Sequence, residues 1–232
     1  MIPSVTFATA CWEKDWRQIL LDPSYLQVKQ IANHKFPFAE KLLVINNVID
    51  LPQVMEAAQK KVDEGVLSRY VVAKDVLDFF QLKKEELNDW QYFNAVAPLM
   101  AIRECKSDFL LYLTGDVFLE KPVQWIPRAI RCMQKRPNVK VANLTWNDNY
   151  REAKKESYRK TWNFYFGKKG FSDQMFLVRK GDFCAPIYGE IRDDSHHFPR
   201  GDVFEKRVFS YMLNHGWERI TFRRGSYTHE NI

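Results

Sequence analysis

The chain has 232 residues, 46% of them hydrophobic, and a formal net charge of +6. This length suits one domain with a substantial core, and nine Gly and ten Pro exclude collagen-like and low-complexity chains. The four cysteines are widely scattered, which argues against a thiolate metal site and against a disulfide framework. No basic leader precedes an apolar segment, and no apolar run approaches the ~20 residues of a membrane helix. We therefore expect a soluble, cytoplasmic protein with no membrane span.

Near-continuous apolar runs mark three strands in the first third of the chain: SVTFATA, KLLVINNV and SRYVVAK. Such runs are typical of strands buried on both faces. Between the second and third lies DLPQVMEAAQKKVDEG, in which Pro52 stands where a helix begins and Gly65 can end it. The order strand, helix, strand predicts a right-handed crossover within a parallel sheet.

The alternation continues to about residue 146. DWQYFNAVAPLMAIRECK has helical spacing, although Pro98 requires either a first-turn position or a kink. DFLLYLTGDVFLE and VKVANLTW read as strands, and VQWIPRAIRCMQKR between them reads as a helix. This pattern predicts an α/β fold with a mostly parallel central sheet flanked by helices.

The remainder of the chain is less regular. The stretch from Asn147 to Phe171 has no clear periodicity, and CAPIYGEIRDDSHHFPRG reads as a loop. QMFLVRK and ERITFRR are predicted strands, and DVFEKRVFSYMLNHG is a predicted helix that ends at Gly216. The tail GSYTHENI follows the last predicted strand.

Asp116 interrupts the most buried of these predicted strands, in the stretch DFLLYLTGDVFLE. Gly-Asp is ordinary turn chemistry, so a turn is one interpretation. The other is an acid at the carboxyl end of a buried strand, which is where open α/β sheets bind their ligands.

Three stretches together resemble the nucleotide-sugar glycosyltransferases of the GT-A fold: SVTFATACWEKDW, YFNAVAPLMAIRECKSDFLLYLTGDVFLE and RGDVFEKRVFSYMLNHGWERITF. The resemblance is one of order and spacing over most of the chain. It implies one GT-A-like, Rossmann-like domain over residues 1–232. In that domain residues 1–123 form the nucleotide-sugar-binding half, and residues 124–232 form a less regular acceptor-binding half.

The family's metal motif is commonly Asp-x-Asp, and the matching triplet here is Thr114-Gly115-Asp116. The resemblance implies that Asp116 binds a divalent cation, Mn²⁺ or Mg²⁺, that bridges the donor's phosphates, and that Thr114 is no longer a ligand. His229 in the tail matches a position where some members return a His to the metal. Imidazole suits Mn²⁺ better than Mg²⁺. The alternative for His229 is an exposed tail residue.

The resemblance also implies where the nucleotide-sugar donor binds. The positions that match its site are Thr9, Trp12, Asn47, Asp75, Asn94, Thr114 and Gly115. Trp12 follows the first predicted strand, where an aromatic ring can stack on a base or sugar. Asn47 and Asp75 follow the next two strands, and each is equally explained as a polar loop residue.

Asp202 matches the catalytic base of the family's inverting members. A carboxylate can take the proton of an acceptor hydroxyl. The spacing from Asp202 to Glu205 is also that of a capping box at a helix start. Glu205, Asp193 and Asp194 are the fallback candidates for the base. The adjacent pair His196-His197 is better explained as part of a flexible loop on the acceptor side than as a metal site.

The sequence therefore predicts a metal-dependent, inverting glycosyltransferase that moves a sugar from a nucleotide-diphosphate sugar to an acceptor hydroxyl. The acceptor, whether glycan, lipid-linked or protein, stays open. A nucleotidyltransferase of related fold is an alternative, although ATACWEKDW lacks the Gly-rich phosphate loop that such an enzyme needs. A non-catalytic carbohydrate- or nucleic-acid-binding domain is another.

Basic clusters keep the nucleic-acid alternative open: RAIRCMQKRPNVK, YREAKKESYRK and FGKKG. Positive charge also suits an anionic membrane surface or a phosphorylated substrate, and each cluster alone is typical of a solvated helix face. Because no zinc-finger or RNP-like motif accompanies the clusters, we expect no nucleic-acid partner.

Overall fold

A computed structural model of the chain describes residues 3–86, 89–195 and 204–230. Its strands in chain order are β1 (Val5–Cys11), β2 (Glu40–Ile45), β3 (Arg69–Val72), β4 (Phe109–Leu113), β5 (Val117–Phe118), β6 (Val139–Trp146), β7 (Arg159–Lys160), β8 (Phe164–Gly167), β9 (Met175–Arg179) and β10 (Glu218–His229). Its α-helices are α1 (Trp16–Leu21), α2 (Leu51–Asp63), α3 (Asp89–Glu104), α4 (Ile126–Lys135), α5 (Tyr150–Lys155), α6 (Lys180–Phe183) and α7 (Phe204–Asn214). A π-helical segment, Tyr25–Ile31, follows α1.

The strands form one sheet in the order β3-β2-β1-β4-β9-β6-β10-β8-β7, and β5 pairs separately with β10. The pairings from β3 to β4 are parallel, and so is the pairing of β6 with β10. β9 runs antiparallel between β4 and β6, so β10 points in the same direction as β1 and β4. The carboxyl ends of β1, β2, β4, β6 and β10 therefore meet at one edge of the sheet, which we call the carboxyl edge.

The helices cover both faces of this sheet. Their apolar sides follow the periodicity that the sequence predicted. In α2, Pro52 occupies the first turn, and the Asp50 carboxylate accepts a hydrogen bond from the Gln53 N–H at 3.0 Å. The side of α4 that faces the core is fully buried, at Ile126, Ala129, Ile130 and Met133. The predicted α/β fold with a mostly parallel, helix-flanked central sheet is confirmed.

Pro98 lies inside α3, beyond its first turn, which excludes one of the two alternatives that the sequence left open. One predicted boundary differs in the structure. The last strand does not end near Arg224 but continues to His229. Gly225 explains the difference, because a Cβ there would lie 2.7 Å from Val123 Cγ1. The glycine allows the strand to pass Val123, so it does not mark a strand end.

The region without clear periodicity contains α5, β7 and β8, and the last two form a hairpin that ends the sheet beside β10. None of the helices in the described ranges is long and apolar enough to cross a lipid bilayer.

Candidate functional site

Asp116 and His229 lie side by side at the carboxyl edge. Asp116 stands between β4 and β5, and the pairing of His229 with Val117 brings the end of β10 next to it. His229 Nε2 is 3.0 Å from Asp116 Oδ2, and the two side chains are 20% and 23% exposed. The structure thus brings together the two predicted metal ligands, and His229 is a strand residue and not a free tail residue.

Thr114 orients the Asp116 carboxylate. Its hydroxyl donates a hydrogen bond to Asp116 Oδ1 at 2.7 Å, which leaves Oδ2 for His229. Thr114 occupies the position of the first acid of the Asp-x-Asp motif. Its side chain forms a hydrogen bond with Asp116, which occupies the position of the second acid. A carboxylate whose rotamer is fixed in this way is preorganised for a ligand.

Gln174 and Tyr227 extend this hydrogen-bonded chain to the other side of the imidazole. Gln174 Nε2 is 3.1 Å from His229 Nδ1, and the Tyr227 hydroxyl donates to Gln174 Oε1 at 3.1 Å. The hydrogen bond with Asp116 raises the pKa of His229, and partial burial opposes the rise. Gln174 had no signal in the sequence beyond its place at the start of the predicted strand QMFLVRK.

Gly115 is required by a close approach between two strand ends. A Cβ there would lie 2.2 Å from Asp15 Oδ2 and 2.7 Å from the Ala10 carbonyl oxygen. Its carbonyl accepts hydrogen bonds from the Tyr25 hydroxyl at 2.9 Å and from Gln30 Nε2 at 3.1 Å. Gly115 therefore places Asp116 through the backbone.

Asp15 is a buried acid at this edge that the sequence did not single out. It is 2% exposed, and its Oδ1 accepts a hydrogen bond from the Trp12 N–H at 2.8 Å. Burial raises the pKa of Asp15 to about 7, the Trp12 N–H opposes the rise, and the charge on Asp116 adds to it. The available signal was an acid just beyond a buried strand, in the stretch CWEKD.

Two further acids, Asp173 and Glu205, interact electrostatically with the charged groups at this edge. Burial raises the pKa of Asp173, and the charge on Asp116 also raises it while His229 lowers it. Burial likewise raises the pKa of Glu205, with a further rise from Asp173 and an opposing effect of Arg219. Perturbed carboxyl groups of this kind are typical of functional sites.

The predicted base and its alternatives are placed unequally. Asp202, like His196 and His197, lies outside the described residues. Asp194 binds Arg192 through both carboxylate oxygens at 2.7 and 2.8 Å on the exposed surface, and Asp193 is exposed beside it. Of the fallback candidates, Glu205 is the one whose charge is coupled to the acids around the Asp116–His229 pair.

The predicted donor-binding residues are also spread unequally. Thr9 is fully buried in the sheet, and its hydroxyl has no hydrogen-bond partner within the described part of the chain. Trp12 is half-buried beside β1, while Asn47 and Asp75 are exposed after β2 and β3. Asn94 is exposed on α3, the helix whose Phe93 carbonyl accepts a hydrogen bond from the Asn46 side chain at 2.8 Å. A ligand can therefore reach Trp12, Asn47, Asp75 and Asn94, whereas Thr9 is inaccessible.

Comparisons with known proteins find likeness in structure alone. No protein family and no curated protein matches the sequence. The mannosyltransferase PcManGT from Pyrobaculum calidifontis, in complex with GDP-Man and Mn²⁺, superimposes with a TM-score of 0.59 at 14% identity over 99% of this chain. GalNAc-T7 with UDP, GalNAc and Mn²⁺ superimposes with a TM-score of 0.60 at 12% identity over 98% of this chain. The fold is GT-A-like.

A third similar structure is CMP:2-keto-3-deoxy-manno-octonic acid synthetase complexed with CTP, with a TM-score of 0.54 at 13% identity. It matches 97% of this chain, and the match spans 90% of that enzyme. The matches to the two transferases span 57% and 44% of those chains. This fold therefore occurs both in sugar transferases and in a CMP-sugar acid synthetase.

The Asp116–His229 pair fits a divalent cation. Two ligands at about 2.1 Å from one ion and at right angles to each other lie about 3 Å apart, and His229 Nε2 and Asp116 Oδ2 are 3.0 Å apart. Within the described residues, no group of three or more His, Cys, Asp or Glu side chains is arranged to hold a metal. Hard cations bound by few carboxylates are typically completed by substrate phosphates and water.

Proposed function

We propose that this protein is a glycosyltransferase that transfers a sugar from a nucleotide-diphosphate sugar to an acceptor hydroxyl. The observation that carries the proposal is the contact of Asp116 with His229 at the carboxyl edge, where open α/β sheets bind ligands. In this proposal residues 1–123 bind the donor and residues 124–232 bind the acceptor. The two transferases of this fold with Mn²⁺ and nucleotide ligands support it.

Asp116 and His229 would hold the cation, and Mn²⁺ suits this mixed oxygen and nitrogen ligand pair better than Mg²⁺. A bound divalent cation neutralises the charge that develops on a leaving diphosphate. The chain itself fixes the two ligands: Thr114 donates to one oxygen of Asp116, and Gln174 contacts the second nitrogen of His229. Both ligands are thus held before the donor arrives, which lowers the cost of ordering them.

The donor would lie across the ends of β1, β2 and β3, against Trp12, Asn47, Asp75 and Asn94. The acceptor hydroxyl needs a base, and we assign this role to Asp202, as the resemblance implies for an inverting enzyme. Glu205 is the second candidate, because burial and the charge on Asp173 raise its pKa, as is typical of carboxyl groups at functional sites.

The test is binding of GDP and UDP, measured by thermal shift and calorimetry with Mn²⁺ or EDTA, on the wild type and Asp116→Asn. A ligand that binds the folded state raises its melting temperature by mass action. We expect Mn²⁺-dependent binding in the wild type and a loss of at least about 100-fold, or ~2.7 kcal/mol, in the variant. An amide oxygen lacks the charge that a hard cation requires.

Asp63→Asn is the matched control, because Asp63 is exposed at the end of α2. It should bind as the wild type does, and both variants should melt within a few degrees of the wild type without ligand. Equal affinity of wild type and Asp116→Asn in Mn²⁺ and in EDTA would refute the metal site and leave Asp116 as a turn residue.

A second candidate function is nucleotidyl transfer, as the match across 90% of the CTP-bound synthetase supports. The two reactions differ in their substrates. A nucleotidyltransferase binds a nucleoside triphosphate and releases pyrophosphate, whereas a glycosyltransferase binds a sugar nucleotide and releases a nucleoside diphosphate. Mn²⁺-dependent stabilisation by CTP or another triphosphate, with pyrophosphate release on addition of sugar acids, would favour the second function.

A further inference from the structure

Trp162 is a large aromatic side chain that the structure leaves in solvent. It lies at the tip of the β7–β8 hairpin and is 76% exposed. The guanidinium of Arg224, on the neighbouring strand β10, stacks over its ring at 4.3 Å from the centroid. No carboxylate of the described residues forms a salt bridge with Arg224. The pair thus presents an open indole face beside a cation with no acid partner in the described ranges.

The hairpin tip is rigidly held, so the exposure of Trp162 is built into the fold. The Thr161 N–H donates to the Phe164 carbonyl at 2.8 Å, and the Phe164 N–H donates to the Thr161 hydroxyl at 3.1 Å. The Arg223 N–H donates to the Asn163 carbonyl at 2.9 Å, and the Arg223 guanidinium donates to the Thr161 carbonyl. A preorganised aromatic side chain binds a ligand at a low cost in conformational entropy.

The positive charge of the chain is concentrated around this hairpin. Residues 150–170 contain seven Lys and Arg residues and two Glu residues, which is a net charge of +5. The net charge of the whole chain is +6. One of the two acids, Glu156, is neutralised by Arg219 at 2.8 Å. The segment that contains the hairpin therefore attracts anions, and Arg224 adds a cation at its tip.

The pair also lies at the same edge of the sheet as the proposed metal site. β8 runs antiparallel to β10, with Phe164 opposite Phe222, so the tip that precedes Phe164 projects toward the carboxyl edge. Arg224 and His229 lie on the same strand, five positions apart, which is at most about 17 Å in an extended strand. This length corresponds to a few linked sugar rings.

We propose that Trp162 and Arg224 form a subsite that binds one acidic unit of an oligosaccharide acceptor, a few rings from the reacting hydroxyl. The inference rests on the proposed function for its place in the reaction. The apolar C–H face of a sugar ring packs on the open side of the indole. A carboxylate, sulfate or phosphate on that ring pairs with the Arg224 guanidinium, which is planar and offers paired donors.

Two other anionic partners fit the geometry less well. Single-stranded nucleic acid is bound by successive stacking residues along a groove. Another aromatic of this segment, Tyr158, is 52% exposed but lies near the other end of β8, because its N–H donates to the Phe166 carbonyl. A membrane surface is attracted by the Lys and Arg excess as a whole, so loss of Arg224 would weaken that attraction no more than loss of Lys168. An oligosaccharide uses the indole and the guanidinium together.

The experiment is binding to an array of acidic and neutral oligosaccharides, followed by calorimetric titration of the strongest acidic oligosaccharide. The variants are Trp162→Ala, Trp162→Phe and Arg224→Gln. The matched controls are Tyr158→Ala and Lys168→Gln, since Lys168 lies over the Tyr158 ring at 5.1 Å and its loss changes the net charge equally. Vesicles of phosphatidylglycerol and an oligo(dT) strand test the other partners.

We expect the wild type to prefer acidic oligosaccharides, with a loss of at least tenfold in Trp162→Ala and partial retention in Trp162→Phe. Arg224→Gln should reduce acidic binding to the level of neutral binding, and the two controls should bind as the wild type does. Equal losses in Arg224→Gln and Lys168→Gln, absence of oligosaccharide binding, or selective binding to vesicles or oligo(dT) would overturn the proposal. GDP binding with Mn²⁺, measured on the same samples, reports separately on the proposed transferase site.

Discussion

The two edges of the sheet treat their charged groups in opposite ways. At the amino end of β1 and β2, Glu40 accepts hydrogen bonds from Arg69 Nε at 2.7 Å and from the Thr6 hydroxyl at 3.0 Å. Arg69 also reaches the side chain and backbone of Glu104. Burial alone raises the pKa of Glu40, but these hydrogen bonds and the charge on Arg69 lower it below its usual value.

At the carboxyl edge of the same strands, burial raises the pKa of several acids. The pKa of Asp15 rises to about 7, and the pKa of Asp173 and that of Glu205 rise as well. The paired charges at the amino edge stabilise the fold. The buried acids at the carboxyl edge lower its stability, but they are available to act on a ligand. Perturbed acids are typical of functional sites, so the difference between the two edges supports the proposed site at the carboxyl edge.

The largest expected effect is on the pH dependence of folding at the carboxyl edge. Asp15 has a folded pKa of about 7 and an unfolded pKa of about 3.9. Between these values the folded state holds a proton that the unfolded state has lost, so the free energy of unfolding falls as pH rises from 4 to 7. Asp15→Asn removes this pH-dependent fall in the free energy of unfolding. At pH 8 the variant should therefore be more stable than the wild type by up to about 4 kcal/mol.

Urea denaturation from pH 4 to pH 8 in EDTA measures this difference. The two proteins should have nearly equal stability at pH 4, because protonated Asp and Asn are similar in shape and charge. Parallel stability curves for the two proteins across this range would mean that Asp15 is compensated like the acids at the amino edge.

The next effect is the reverse, at the amino edge. Glu40→Gln removes the charge that pairs with Arg69, whose side chain is 23% exposed, and should cost about 2 kcal/mol of stability at pH 7. The loss should shrink as pH falls below about 4, where the unfolded carboxyl and then the folded one are protonated. Nucleotide binding with Mn²⁺ should not change.

Glu120→Gln is the control for this variant, since Glu120 pairs with Lys29 at 3.7 Å and its side chain is 58% exposed. An exposed pair of this kind contributes at most about 0.5 kcal/mol. If Glu40→Gln weakened Mn²⁺-dependent binding while leaving stability unchanged, the division of roles between the edges would be wrong.

The smallest effect concerns Thr114, which adjusts the proposed site without supplying a ligand. Thr114→Val keeps the shape but removes the hydrogen bond to Asp116 Oδ1, and Mn²⁺ affinity should fall about tenfold. Thr114→Asp restores the acid of the Asp-x-Asp motif and should strengthen Mn²⁺ binding or leave it unchanged. Titration of Mn²⁺ by calorimetry measures both, and a wild-type affinity in Thr114→Val would show that the hydroxyl does not orient Asp116.

The sequence by itself determined the strands and helices whose apolar residues follow a regular pattern over neighbouring positions. Runs such as KLLVINNV and periodic stretches such as IPRAIRCMQK gave the strands and helices of the first part, because burial on both faces or on one side leaves a pattern along the chain. The position of Asp116 at a strand end was also readable, because a carboxylate after a buried run stands out from its neighbours.

Only the tertiary structure decided which residues these side chains contact. His229 joins Asp116 because β10 runs past the Gly225 position and pairs with β5, a contact between residues more than a hundred positions apart. Asp15, Gln174 and the exposed face of Trp162 depend in the same way on which strand ends the sheet brings together. Pairings of this kind leave no periodicity in the sequence, since their partners are fixed by the order of strands and not by neighbouring residues.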